Sequence, residues 1–197
     1  MKKLIFATTN QGKVREVKMM MEGFDVELYT LKEAGIDVDI VEDGTTFEEN
    51  AIIKAKTIME MTGEIALADD SGLEVDYLDG APGIYSARFL GEDTPYEVKN
   101  NYIIDKLKDA KGKERSARFV CAMAVAFPDG EVETCKGTIE GLIAYEQKGK
   151  NGFGYDPIVY VPEYEMTTGE MAPELKNSIS HRGKALEQMK EILARRI

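Results

Sequence analysis

The stretch that most constrains this chain is Ala66 to Asp76, ALADDSGLEVD, where an apolar run ends in two adjacent carboxylates, Asp69 and Asp70. The run reads as a buried strand that turns at Ser71-Gly72. Carboxylates in such a place are costly unless they are paired, hydrogen-bonded or bound to a metal. Successive strand side chains point to opposite faces, so one aspartate is expected to look into a cleft and the other to serve the fold. Alternation alone does not say which.

With 197 residues the chain is long enough for one domain with a sizeable core, and a single domain over 1–197 is expected. Hydrophobic residues at 43% and charged residues at 31% are ordinary for a globular protein and exclude a disordered chain. The opening MKKLIFATTN passes straight from a short apolar run into polar residues, unlike a signal peptide, and no stretch is apolar for the roughly 18 residues of a membrane span. The formal charge of −11 argues against a partner such as a nucleic acid polymer, while a small anionic ligand held by a local cluster remains compatible with it. Two cysteines flank Pro128-Asp129-Gly130. A two-residue Asp-Gly loop would put Cys121 opposite Thr138 and Cys135 opposite Ala124, on opposite sheet faces. Free thiols in a reducing, cytoplasmic setting follow from that register.

Lys3 to Thr8 reads as a first strand, and Val14, Val17, Met20, Met21 and Phe24 then recur at helical spacing. Between them, Thr8, Thr9, Asn10, Gln11, Gly12 and Lys13 set hydroxyls, backbone N–H groups and an ammonium at the positive end of a helix, which suits an anion. An ordinary Asn cap with Gly in a turn explains the same residues. The loop is not a Walker A motif, because Val14 stands where that pattern has Ser or Thr. Asp25 to Thr30 and Ile36 to Val41 read as further strands, and a helix follows through Ala51, Ile52, Ala55, Ile58 and Met59. Thr46 and Glu49 fit a capping box, whereas Glu42 lies in a loop that no cap explains. Lys54 and Lys56 ride on that helix.

Leu73, Val75 and Tyr77 alternate as in a strand, and Gly80, Pro82 and Gly83 then force a turn that presents Tyr85 and Arg88. A helix is expected from about Thr94 to Lys108, and Ser116 to Phe127 with Glu131 to Tyr145 reads as a long hairpin. The loop KGKNGFGYDP holds Phe153 and Tyr155 among glycines, where aromatics either stack on a flat ligand or close the core edge. The last helix begins near Ser180 with His181, Arg182 and Lys184 in its first turn. Cations there oppose the macrodipole, a conflict expected where an anionic or electron-rich ligand compensates it.

His181 is the only histidine, which removes two-histidine zinc sites, and no nucleophile elbow accompanies it. An oxygen-ligated Mg²⁺ held by Glu42 and Asp70, with room for substrate phosphates, suits the carboxylates better.

Taken in order, TTNQGK, EDGTTFEENA, ADDSGLEVD, GAPGIYSARF, NGFGYDPI and NSISHRGKAL resemble the inosine triphosphate pyrophosphatase family from about Leu4 to Leu193. The resemblance implies an α/β fold with an elongated central mixed β-sheet flanked by helices, two lobes with the active-site cleft between them, and a homodimer. It implies a phosphate loop at Thr8 to Lys13, a metal-binding Glu42, a phosphate-facing Lys54, a catalytic and metal-binding Asp70, and a substrate contact at Ser71. The implied base pocket is Phe153, Gly154, Tyr155 and Asp156 with Lys176, His181 and Arg182. Some members carry a phosphate-binding lysine at the position of Ala87, where this chain has only the neighbouring Arg88. The expected activity is Mg²⁺-dependent hydrolysis of the nucleoside triphosphates ITP, dITP or XTP to the monophosphate and pyrophosphate. A related pyrophosphatase for modified pyrimidine nucleotides is the alternative enzyme, disfavoured by SHRG and FGYD. A nucleotide-binding regulatory module without turnover is the alternative outside enzymes.

Overall fold

The computed structural model describes residues 1–197. In chain order the elements are β1 (Lys2–Phe6), α1 (Gln11–Met20), β2 (Val26–Thr30), α2 (Phe47–Thr62), β3 (Ile65–Val75), α3 (Tyr96–Lys106), β4 (Ser116–Ala126), β5 (Val132–Ile143), β6 (Val159–Val161), β7 (Met166–Thr167), α4 (Pro173–Ile179) and α5 (His181–Arg196). The seven strands form one mixed sheet in the order β2-β1-β3-β4-β5-β6-β7, the α/β architecture expected. The chain divides into two compact units: Met1–Asp70 with Cys121–Gly137 and Arg182–Ile197, and Ser71–Val120 with Thr138–His181.

In the first unit β1 runs parallel to β2 and to β3, pairing Phe6 with Thr30 on one side and with Leu67 on the other. Strand alternation then sorts the core. Leu4, Phe6, Ile65, Leu67, Cys121, Met123 and Val125 pack on Val14 and Val17 of α1 and on Ala185, Leu186, Met189 and Leu193 of α5. Ile5, Ala7, Ala66, Ala68, Ala124 and Ala126 face the other way onto Ala51, Ala55, Ile58 and Met59 of α2. Alanines on the α2 face let that helix lie close. Truncating the fully buried Ile58 to Ala costs about 2–5 kcal/mol.

The helices start where the sequence says. Asn10 Oδ1 accepts from the Lys13 N–H at 3.1 Å and Thr46 Oγ1 from the Glu49 N–H at 3.1 Å, each cap contributing about 1 kcal/mol. Glu49 Oε2 in turn accepts from the Thr45 N–H at 2.6 Å, which holds its carboxyl below the usual range. That makes it part of the cap.

In the second unit, Leu73, Val75, Ile103, Leu107, Phe119, Ile143, Ile158 and Val159 form the core. Arg115, 2% exposed, replaces a counter-ion with four carbonyl oxygens, those of Leu107, Ala110, Ile143 and Ala144. It thereby ties the end of α3 to the end of β5.

Three local expectations are corrected. Ser71-Gly72 is not a turn, because β3 continues through it to Val75, where a 3₁₀ turn over Asp76–Leu78 ends the strand before Tyr77. Ile36 to Val41 forms no strand, although Ile36, Val38 and Ile40 pack on the α2 side of the core with the expected alternation. Apolar alternation places side chains but cannot supply a ladder partner. The hairpin turn has three loop residues, not two: the Phe127 N–H donates to the Glu131 carbonyl at 2.9 Å and the Gly130 N–H to the Phe127 carbonyl at 2.9 Å. Gly130, at φ 93°, takes the left-handed position of that loop. A one-residue slip reverses every face of the return strand. Cys135 accordingly packs against the same core as Cys121, and both thiols are free.

Candidate active site

The parallel register of β1 and β3 brings the loop after Phe6 alongside Ala68 to Asp70, and the Ala7 N–H donates to the Leu67 carbonyl at 2.8 Å. The end of β1 and the middle of β3 thus carry the Thr8–Lys13 segment and the aspartates side by side. Alternation sends the two carboxylates apart. Asp69 follows Leu67 toward α1 and α5, where its Oδ2 meets Lys13 Nζ at 3.1 Å and both Nε and an Nη of Arg182 at 3.3 Å. Asp70 follows Ala68 toward α2, where its Oδ2 accepts from Asn50 Nδ2 at 3.2 Å.

The electrostatics differ accordingly. Burial would raise the Asp69 carboxyl, but Lys13, Arg182 and Lys54 outweigh it and hold the group well below the usual carboxylate range. For Asp70 burial wins: with Glu42 adding its repulsion and Lys54 and Lys13 opposing, its carboxyl sits above the ordinary value. Lys54, on the buried face of α2, donates to the Asp69 carbonyl at 2.6 Å and pairs with Glu42 Oε1 at 2.9 Å. Burial acts to lower its pKa, yet Asp69, Glu42 and Asp70 together hold it raised. Lys13 is lowered by burial, with Asp69 opposing and Lys54 and Arg182 adding to the effect.

Thr9, Asn10 and Gln11 are exposed at the start of α1, Thr8 is half-buried and accepts from the Asn10 N–H, and Gly12 is buried. Lys56 is exposed. Ser71 is half-buried within β3. Asp70 and Glu42 offer only carboxylate oxygens, lie within mutual electrostatic reach, and leave Asp70 with an unfavourable charge. Such a pair suits a hard divalent cation that keeps waters or phosphates for its remaining positions. No group of three or more His, Cys, Asp or Glu side chains forms a complete protein cage.

The second unit carries the aromatic loop. Asp156, 2% exposed, organises it: Oδ2 accepts from Lys176 Nζ at 2.6 Å and from the Phe153 N–H at 2.9 Å, and Oδ1 from Thr168 Oγ1 at 2.8 Å. A Cβ at Gly152, whose φ is +70°, would fall 2.1 Å from Asp156 Oδ2, so this loop requires glycine there. Phe153 stays half-buried with Lys176 Nζ 4.9 Å from its ring centroid. Tyr155 belongs to the core: it is 5% exposed, donates to the Ser86 carbonyl at 2.6 Å and meets Tyr96 edge-on. Gly154 is half-buried, and its carbonyl accepts from Asn100 Nδ2 at 3.1 Å. His181 stacks on Phe119, with centroids 4.7 Å apart. Exposed Arg88 lies over Tyr85.

The conflict at the start of α5 is resolved from within for Arg182. Its guanidinium is 1% exposed and faces Asp69 and, at 2.7 Å, Glu16. Two residues were missed in the sequence. Glu16 is one. Asn50 is the other, since its amide also accepts the Gly44 N–H at 2.8 Å and so ties the loop of Glu42 to Asp70. Its signal was a polar residue in the buried stripe of α2, one turn before Lys54. Gly44 is obligatory there, because a Cβ would sit 2.6 Å from Asn50 Oδ1.

Comparison with known proteins agrees with the fold and with the order of the motifs. The model of the Ham1 family matches residues 4–192. The dITP/XTP pyrophosphatase of Desulforamulus reducens is 49% identical over 193 residues, covering 98% of this chain and 96% of that protein. The dITP/XTP pyrophosphatase of Clostridium perfringens is 48% identical over 199 residues, with 98% of each chain covered. Among solved structures, a HAM1 protein from Coxiella burnetii superposes with a TM-score of 0.89 at 40% identity, covering 99% of this chain and 100% of that one. The Staphylococcus aureus Ham1 protein gives 0.86 at 40% identity, with 98% of both chains covered. With its sequence matched along almost its whole length and its fold shared, the chain belongs to the Ham1 family.

Proposed function

We propose that this protein hydrolyses non-canonical purine nucleoside triphosphates, ITP, dITP and XTP, to the monophosphate and pyrophosphate, and so clears them from the nucleotide pool. Relatives at nearly half identity over the full chain are named for dITP and XTP. One structural observation carries the chemistry: of two adjacent buried carboxylates, Asp69 is neutralised by Lys13 and Arg182, while Asp70 is held only by an amide and keeps a raised affinity for protons.

In this reading Asn50 fixes the rotation of the Asp70 carboxylate, which accepts a proton from the attacking water. The bond between the α and β phosphates breaks, and pyrophosphate leaves with the electron pair. Lys13, Lys54 and the Thr8–Gly12 segment grip the phosphates and offset the charge that grows on them. Glu42 and Asp70 would hold Mg²⁺, which supplies charge neutralisation and Lewis-acid polarisation of the triphosphate. Ser71 is a substrate contact. At the base end Phe153 stacks on the purine, Lys176 and Asp156 hold the loop around Gly154 and Tyr155, and the His181-Arg182 segment selects the 6-oxo group. A site built for that oxygen rejects an amino group by roughly 10⁴-fold, because donor then faces donor.

The free thiols suit a cytoplasmic enzyme, and no helix is long and apolar enough to cross a membrane. A homodimer is the proposed assembly, to be checked by light scattering. The activity is tested by assaying pyrophosphate from ITP, dITP, XTP and ATP with Mg²⁺. Strong turnover of the first three and little of ATP is expected; equal turnover of ATP and ITP removes the specificity, and no turnover removes the function.

A further inference from the structure

In the second unit the His181 and Phe119 rings stack with centroids 4.7 Å apart and planes 17° from parallel. Stacked rings touch at about 3.5 Å, so these two are offset, the arrangement aromatic pairs prefer to a face-to-face sandwich. Each partner is fixed by its own surroundings. Phe119 is 6% exposed on β4 and packs in the core of that unit with Ala117, two residues back on the same face. Arg118 between them points the other way, where Glu74, Asp76 and Glu140 hold its guanidinium. The backbone entering His181 is tied down as well. The Ser180 N–H donates to the Lys176 carbonyl at 2.8 Å, and Asp156 holds Lys176 Nζ at 2.6 Å.

Fixing that backbone does not fix the imidazole. Its χ2 is a torsion between an sp³ and an sp² carbon, broad and shallow, so the ring plane swings at little cost unless a neighbour sets it. The plane matters because a histidine N–H lies within it, and a hydrogen bond weakens steeply as its donor angle falls toward about 120°. An aliphatic side chain in place of Phe119 would fill space but favour no plane. We propose, on the reading above that His181 selects the 6-oxo group, that Phe119 is a positioning residue for purine specificity: its stacked ring holds the imidazole plane so that the N–H meets the substrate's oxygen. Phe119 acts through His181, and the pair belongs to the base end of the site.

The test is Phe119→Leu, with Phe119→Tyr as the variant that keeps the ring and Ile103→Val as a lesion on α3 in the same core. His181 is the only histidine, so NMR of histidine-labelled protein reports on that imidazole alone. Its ring-proton signals should move downfield in Phe119→Leu, where the ring current of the stack is lost, and stay near their wild-type positions in the other two variants. In Phe119→Leu the KM for ITP should rise about tenfold, the worth of one hydrogen bond, with kcat within about twofold. The KM for ATP should not change, so the preference for ITP over ATP falls by the same factor. Affinity for inorganic tripolyphosphate, which has phosphates and no base, should be unchanged by calorimetry. Phe119→Tyr and Ile103→Val should keep the preference, and Phe119→Met carries the same expectations as Phe119→Leu if the latter does not fold. The proposal is overturned by His181 signals that do not move, by an intact ITP-over-ATP preference in folded Phe119→Leu or Phe119→Met, or by an equal loss of preference in Ile103→Val. Equal turnover of ATP and ITP by the wild-type protein would instead overturn the functional reading beneath it.

Discussion

Removing the Asp156 carboxylate should separate the charge of the aromatic loop from its shape. Its side chain and that of Lys176 are 3% and 5% exposed and 2.6 Å apart, and the same carboxylate binds the Phe153 N–H and the Thr168 hydroxyl. Asp156→Ala leaves a buried ammonium without its carboxylate, a loss of about 3–5 kcal/mol. Asp156→Asn can turn its amide oxygen toward Lys176 and Phe153, and its NH₂ toward the Thr168 hydroxyl, which can rotate to accept. It forfeits the difference between charged and neutral hydrogen bonds, about 1–2 kcal/mol. For a chain of this length about 2–4 °C accompanies each kcal/mol, so Ala should lower Tm by roughly 6–20 °C and Asn by a smaller amount. Urea denaturation measured beside thermal unfolding checks both values. Since the Phe153 N–H hangs on the same oxygen, both variants should also raise the KM for ITP, Ala more than Asn. An Ala variant within about 1 kcal/mol of wild type, or an Asn variant no better than Ala, would refute the charge argument.

Asp70→Asn should abolish pyrophosphate release while ITP still binds, and excess chelator should stop the wild-type enzyme until Mg²⁺ is returned; turnover surviving either treatment removes the role given to Asp70 or to the metal. Glu33, which pairs with Lys18 and accepts the Thr30 N–H, has its carboxyl lowered from 4.5 to about 2, and Asp69 is lowered as well. Groups depressed on folding stabilise above their unfolded pKa and lose that contribution as pH falls through the folded value. Unfolding measured against pH should therefore show stability falling from about pH 4.5 toward 2, with a flatter slope in Asp69→Asn. Burial pushes the Cys135 thiol up to about 12 and Cys121 higher still, so iodoacetamide at pH 8 should label neither until denaturant is added. Rapid labelling of the native protein would contradict the packing described for them.

What could be seen in the sequence shares one property: its partners lie within a few residues. The Asn10 and Thr46 caps bond to N–H groups three residues on, and the helical stripes of α1, α2 and α5 repeat within a turn. The alternation that parted Asp69 from Asp70 is equally local. Local rules also mislead where a ladder or a loop must choose. The sequence around Asp129-Gly130 suits loops of two or three residues, and the single residue between them decides which face Cys135 takes. Ile36 to Val41 alternates like a strand but has no neighbouring strand to bond.

By itself the chain determined that two carboxylates would lie on opposite faces of a buried strand, that a lysine-bearing loop would open one helix and that cations would open another. Only the tertiary structure decided what each carboxylate meets. Asp69 and Arg182 are 113 residues apart and Glu16 and Arg182 are 166 apart, so no periodicity could join them. They meet because the β1–β3 register carries the Lys13 loop to Asp69 and because α1 and α5 pack on the same sheet face. Burial then raised Asp70 and paired charge lowered Asp69, a difference that two identical neighbouring residues acquire only from their surroundings.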